Sequence, residues 1–218
     1  LKEIRSNIPG HVSLVAISKT KPASMVKDLY VAGHLDFGEN KAQELVAKAR
    51  ELPGDIRWHM VGHLQSNKVK YIAPFIHMIH AVDSMKLLRV IQKEGVKHDR
   101  KIQCLVQVRI AREETKFGMV ESDLMEMLGD AELAEMTNVK IRGLMGMATF
   151  TPDKELVRSE FRNLKRIFDT VKETHFTGQT DFNLLSMGMS DDYLIALEEG
   201  SNMVRIGSSI FGPRVYKK

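Results

Sequence analysis

Two hydrophobic periods alternate along this chain, and their order predicts its architecture. Val12-Ser-Leu-Val-Ala-Ile17 is a β-branched run ended by polar residues, which reads as a strand. Pro22 then opens a helix with apolar positions Met25, Val26, Leu29 and Tyr30, and Gly33 ends it. Leu35-Asp-Phe37 is a short second strand, followed by Gly38-Glu39-Asn40 and a helix with Leu45, Val46 and Ala49 on one face. Arg57-Trp-His-Met-Val61 is the third strand, with a helix from about Asn67. Met78-Ile-His-Ala-Val82 is the fourth, and Ser84 caps the helix of Leu87, Leu88 and Ile91. Ile102-Gln-Cys-Leu-Val-Gln-Val108 is the fifth, with a helix from Ser122. Val139-Lys-Ile-Arg-Gly-Leu144 is the sixth, and Val157, Phe161, Leu164, Phe168 and Val171 stripe the long helix after it. Asp181-Phe-Asn-Leu-Leu185 is the seventh, with a helix from Asp191 to Glu199 closed by Gly200, and Met203-Val-Arg-Ile206 is the eighth.

Eight strand–helix alternations without a break in composition indicate one parallel α/β domain over residues 1–218. A doubly wound sheet is one solution. A closed (β/α)₈ barrel fits better, because eight units match closure and no Gly-x-Gly-x-x-Gly turn follows the first strand. The 218 residues fall a little short of the ~250 typical of barrels, which fits short loops.

Composition narrows the setting. The single cysteine, Cys104, has no internal partner and suits a reducing compartment such as the cytoplasm. No stretch approaches the ~20 consecutive apolar residues of a membrane span, and Leu1 to Ser6 does not resemble a secretion signal. The net charge is +4, but 32 Lys and Arg are scattered among 28 acids, so nucleic acid is not the expected partner. Asn67 to Tyr71 reads as the solvated face of a helix, and no apolar stripe calls for a second subunit, so a monomer is expected.

Candidate chemistry collects at the C-terminal strand ends, where barrels carry their sites. Ser13, Val15, Ile17 and Lys19 share one face by alternation, which aims Lys19 into the barrel mouth. A desolvated amine there is a candidate Schiff-base nucleophile, and equally a lysine that reaches out to solvent. Ser186-Met187-Gly188 and Gly207-Ser208 offer hydroxyls and backbone N–H groups where barrels bind phosphate, with a helix start at about Ser208-Ser209; their glycines also suit plain tight turns. Together they describe a site for a phosphorylated carbonyl compound, pyridoxal 5′-phosphate and sugar phosphates both qualifying. No metal is expected: His59 and His63 flank a strand end, and His77 and His80 should lie on opposite strand faces. Cys104 reads as a buried thiol and Glu113-Glu114 as a solvated turn.

At these residues the chain resembles the YggS/PROSC family of pyridoxal phosphate homeostasis proteins. The matching segments are Ala16-Ile-Ser-Lys-Thr-Lys-Pro22, Phe37-Gly-Glu-Asn40, Trp58-His-Met-Val-Gly-His-Leu-Gln-Ser-Asn-Lys68, Glu113-Glu-Thr-Lys116, Gly143-Leu-Met145, Leu185-Ser-Met-Gly-Met-Ser-Asp191 and Gly200-Ser-Asn-Met-Val-Arg-Ile-Gly-Ser-Ser-Ile-Phe-Gly212. The resemblance implies a barrel like the N-terminal domain of alanine racemase and pyridoxal 5′-phosphate as the cofactor. It implies that Lys19 forms the Schiff base. Ser186, the backbone of Met187, Gly207 and Ser208 hold the phosphate on the same grounds, Arg205 faces the pyridine nitrogen, Asn40 lines the ring and Lys116 helps cofactor transfer. Lys41-Ala42 stands where the family commonly has Tyr-Val, Met60-Val61 where it has Phe-Ile, and Ser208 where Thr is frequent. Of the family's helix before the first strand, only about Leu1 to Asn7 is present.

Three functions compete. The first is a carrier that holds the cofactor reversibly and passes it to apo-forms of dependent enzymes, with no efficient catalysis of its own. The second is an amino-acid racemase, and the third a class I aldolase acting on a sugar phosphate through Lys19. An arginine at the pyridine nitrogen weakens the ring as an electron sink, which argues against decarboxylation or transamination, although racemases tolerate it. None of Tyr30, Tyr71, Tyr193 and Tyr216 is an obvious second base for a racemase, and the sequence identifies no acid–base group for an aldolase near Lys19. The carrier is therefore the expectation.

Overall fold

The computed structural model describes residues 1–111 and 117–213. Eight parallel strands close into a barrel in chain order: β1 (Ser13–Ile17), β2 (Asp36–Glu39), β3 (Arg57–Met60), β4 (Met78–Val82), β5 (Ile102–Gln107), β6 (Val139–Met145), β7 (Leu184–Ser186) and β8 (Met203–Ile206), with β8 pairing back onto β1. The helices around them begin with α1 (Lys2–Ser6), α2 (Ala23–Val31), α3 (Ala42–Glu51), α4 (Val69–Ile72) and α5 (Met85–Lys97). They continue with α6 (Glu121–Gly129), α7 (Ala131–Glu135), α8 (Lys154–His175), α9 (Tyr193–Glu198) and α10 (Ser208–Phe211).

The two periods in the sequence produce two packed layers. Along β1, Val15 and Ile17 turn inward to meet Met78, Ala81, Leu105, Met145 and Met203, while Ala16 faces the helices. Between strands and helices lies the larger core, to which α8 contributes Val157, Phe161, Leu164, Phe168 and Val171 at helical spacing. Each such side chain removed from water stabilises the fold by about 1.5–3 kcal/mol. Asp153 caps α8 by accepting from the Glu155 and Leu156 amides, both at 3.1 Å. Ser84 caps α5 through the Leu87 amide at 3.3 Å, as its sequence position predicts.

Three differences from the sequence expectations bear on the site. β1 ends at Ile17, so Lys19 belongs to a turn, and Thr20 takes a left-handed φ of 65°. β2 runs on to Glu39, because that carboxylate is buried and matched by a lysine. β7 starts at Leu184 rather than Asp181, since Phe182 stacks outside the barrel on Phe168 and Phe176, with ring centroids 5.1 and 4.1 Å away.

Candidate functional site

One cavity of ≈ 430 Å³ opens at the C-terminal ends of the strands, and Lys19, Asn40, Arg205, Gly207 and Ser208 all line it. Lys19 is half-buried on the turn after β1, and Asn40 directly follows β2. The turn that carries Lys19 is held from below by a buried ionic cluster. Lys48 on α3 donates to the Ser18 carbonyl at 2.7 Å, to Glu39 at 2.6 Å and to Glu44 at 2.8 Å. The Ser18 hydroxyl donates to Glu39 at 2.6 Å, and the Thr20 amide donates to Glu44 at 2.6 Å. Burial pushes the Glu39 carboxyl above its ordinary range, against the pull of Lys48 and Ser18.

Arg205 forms part of the cavity floor with only 4% of its surface exposed. Its Nη1 donates to the Ser186 carbonyl at 2.8 Å and the Ser186 hydroxyl at 2.6 Å, and its Nη2 donates to the Gly146 carbonyl at 2.9 Å. A guanidinium has five N–H groups, so part of the fork remains to face the cavity. Burial lowers its pKa to about 10, with Asp192 opposing the shift, so the side chain is protonated at neutral pH.

Ser186 and Met187 do not line the cavity. Both are wholly buried: Ser186 engages Arg205, and the Met187 amide donates to the Met203 carbonyl at 3.2 Å. Strand pairing has consumed the backbone group that the sequence offered to a phosphate. The next residues on that loop, Met189, Ser190 and Asp191, line the wall instead, and the Ser190 hydroxyl accepts from the Gly207 amide at 3.2 Å. Gly207 lies against β1, where a Cβ would come within 3.2 Å of the Ile17 carbonyl. Helix α10 begins at Ser208, and the first amides of any helix have no partner within it. Lys116, Glu113, Glu114 and Tyr216 lie outside the described residues.

Sequence reasoning missed the cavity rim. Phe150 is 83% exposed and Phe117 is 57% exposed, and both line the mouth; Phe117 stacks on His63 with centroids 4.4 Å apart. Lys21 also lines the wall and donates to the Pro213 carbonyl at 2.8 Å. Lys19, Lys21 and Arg205 outnumber Asp191, so the cavity suits an anion.

A second polar cluster, also missed, lies toward the other end of the barrel. His59 Nε2 is 3.0 Å from Asp36 Oδ1, and His59 Nδ1 is 2.9 Å from His80 Nε2. The His77 and His80 rings both stand beside His59, at 5.2 and 5.1 Å between centroids. They therefore do not fall on opposite faces as strict alternation predicts: His77 precedes β4, and the register against β5 shifts between Ile79 and Val82. Burial lowers the His77 pKa to about 4 and that of His80 well below its ordinary value. Cys104 is a buried thiol whose pKa burial raises, as expected.

A family model described as alanine racemase, N-terminal domain, matches residues 1–215. A pyridoxal phosphate homeostasis protein of Aquifex aeolicus is 37% identical over 208 residues, which cover 93% of this chain and 87% of that one. One of Escherichia coli is 35% identical over 216 residues, covering 96% and 89%. The structure of PipY from Synechococcus elongatus without PLP superposes with a TM-score of 0.90 at 33% identity over 97% of each chain. PipY with PLP bound gives 0.88 at the same identity and coverage. Alanine racemase of Bartonella henselae gives 0.73 at 15% identity over 97% of this chain and 57% of its own, a likeness of fold alone. Among the described residues, no helix is long and apolar enough to cross a membrane.

Proposed function

The chain belongs to the family of pyridoxal phosphate homeostasis proteins, built on the alanine racemase N-terminal domain, and we propose that it holds pyridoxal 5′-phosphate reversibly through Lys19 and passes it on. The observation that carries this reading is a lysine and a buried arginine lining one cavity of a barrel similar to PipY with PLP bound.

The residues present fit the cofactor. The cavity is cationic, and its wall at Gly207 carries no side chain. In this reading Ser208 and the start of α10 receive the phosphate, Gly207, whose amide meets Ser190, leaves room for it, Asn40 borders the ring and Arg205 meets the pyridine nitrogen. Ser186 and Met187 act one step back, by fixing Arg205 and the end of β7. When bound, the cofactor supplies an aldehyde that condenses with an amine and a ring that withdraws electrons.

The chain's own groups favour holding over turnover. Arg205 is protonated at neutral pH, so it would donate a hydrogen bond to the ring nitrogen and leave it without a proton, which disfavours decarboxylation and transamination though racemases tolerate it. A racemase needs a second base opposite the lysine. Tyr30 hydrogen-bonds Asp55, and Tyr30, Tyr71 and Tyr193 are absent from the described cavity lining. The reading extends to a single 1–218 domain acting as a cytoplasmic monomer that delivers the cofactor to apo-enzymes, with Lys116 assisting. A sugar-phosphate aldolase gains nothing from Arg205.

The test loads the purified protein with pyridoxal 5′-phosphate and offers it either an apo-enzyme or amino acids in deuterated water. The carrier reading expects the apo-enzyme to be activated and α-proton exchange no faster than with the free cofactor. Rapid exchange that depends on Lys19 would instead establish the racemase.

A further inference from the structure

The polar cluster at the N-terminal strand ends brings two imidazoles and a carboxylate together. Asp36 opens β2, His59 sits in β3 and His77 directly precedes β4, so three neighbouring strands each deliver one potential ligand to the same point. One ligand atom from each lies within 4.8 Å of the other two.

We propose that Asp36, His59 and His77 bind one divalent cation of the zinc, cobalt or nickel kind at the end of the barrel opposite the Lys19 cavity. The proposal is independent of the cofactor reading.

Donor chemistry selects the metal class. Two imidazoles and one carboxylate suit borderline transition metals, whereas calcium and magnesium take oxygen donors throughout. Ligand atoms bound tetrahedrally, each about 2.1 Å from one ion, stand about 3.4 Å apart; Asp36 Oδ1 and His59 Nε2, hydrogen-bonded at 3.0 Å, open by a few tenths of an ångström to admit it. His77 is half-buried, its ligand nitrogen lies within 4.8 Å of the other two ligand atoms, and binding requires its side chain to turn toward them. Asp36 is also half-buried, so two of the three ligands are partly open to solvent.

The surroundings supply the outer contacts that orient metal ligands. His80 pairs with the far nitrogen of His59 at 2.9 Å, and Arg57 holds the other Asp36 oxygen at 2.5 Å. A metal-bound His59 carries its one proton on Nδ1 and donates it to His80 Nε2, with the His80 proton then on Nδ1; any proton displaced from His59 Nε2 passes to solvent. Arg57 also places a positive charge beside the ion, which fixes the carboxylate at some cost in affinity. That cost supplies a variant with the opposite expected sign.

The experiment is calorimetric titration of chelator-treated full-length protein with zinc chloride, with cobalt absorbance as a second signal. The expected result is one ion per chain, and binding in both His77→Ala and His77→Gln weaker by more than the roughly tenfold that loss of an outer contact alone costs, with tighter binding in Arg57→Gln, where the charge is gone. Circular dichroism confirms that each variant is folded. Absence of zinc binding by folded wild-type protein overturns the proposal. So does one-site binding that persists unchanged in the His77 variants, or that is lost in His63→Ala instead, because either places the ion elsewhere.

Discussion

The Lys48 ammonium donates to the Ser18 carbonyl at 2.7 Å, immediately before Lys19 in the chain. Since Lys48 also binds Glu39 and Glu44, and Glu44 takes the Thr20 amide, both neighbours of Lys19 are tied to one buried cluster. Breaking a buried ion pair by removing one partner costs about 3–5 kcal/mol. Lys48→Met is expected to lose that much in urea denaturation, and its folded fraction to bind pyridoxal 5′-phosphate more weakly. Unchanged cofactor affinity would separate the cluster from the placement of Lys19.

Gly62 packs directly on the backbone of Asn40. A Cβ there would stand 2.4 Å from the Asn40 carbonyl oxygen, which cannot rotate away. Overpacking of this kind costs about 1–3 kcal/mol. Gly62→Ala is therefore expected to lower stability by that amount and to weaken cofactor binding, because Asn40 lines the cavity. Thermal denaturation and an equilibrium binding titration check the two parts separately.

Much of the scaffold was legible because local signals agreed with the packing. Met78–Val82 and Met203–Ile206 are the predicted strands, and Ser84 caps its helix as read. The seventh strand was misplaced because Phe182 looks like strand core in sequence, while it is packed against α8. Glu39 looked like a loop residue because its partner, Lys48, comes from the next helix. At the site, the family motifs singled out Lys19 and Arg205, which both line the cavity, whereas strand alternation does not extend to Lys19 because β1 ends at Ile17. The pairing that buries the Met187 amide and the meeting of Asp36, His59 and His77 depend on contacts between strands, which spacing along one strand does not reveal.

Arg205 ties β8 to Ser186 and Gly146 from within the barrel. Lysine keeps the charge but lacks the planar fork, so Arg205→Lys leaves acceptors unmatched. The expected loss is about 3 kcal/mol of stability together with weaker binding of pyridoxal 5′-phosphate, measured by denaturation and by cofactor titration.

Acid should destabilise the fold through the interior histidines. Burial holds His77 to about 4 and His80 well below the ordinary value, while in the unfolded chain both titrate near 6.5. As pH falls below 6.5 the unfolded state takes up protons that the folded state refuses, so stability declines until the folded pKa is reached. In chelator-treated protein, His77→Gln is expected to flatten the decline between pH 6.5 and 4 by on the order of 1 kcal/mol after allowance for solvent screening. Parallel curves for wild type and variant would contradict the assignment.

The central claim is that Lys19 is the anchor for pyridoxal 5′-phosphate, and the most direct measurement is borohydride reduction of the loaded protein followed by peptide mass mapping. The account predicts one pyridoxyl adduct, on Lys19, a visible absorbance that reduction bleaches, and neither in Lys19→Ala. A folded wild-type protein that takes up no cofactor, or an adduct confined to another lysine, would contradict it.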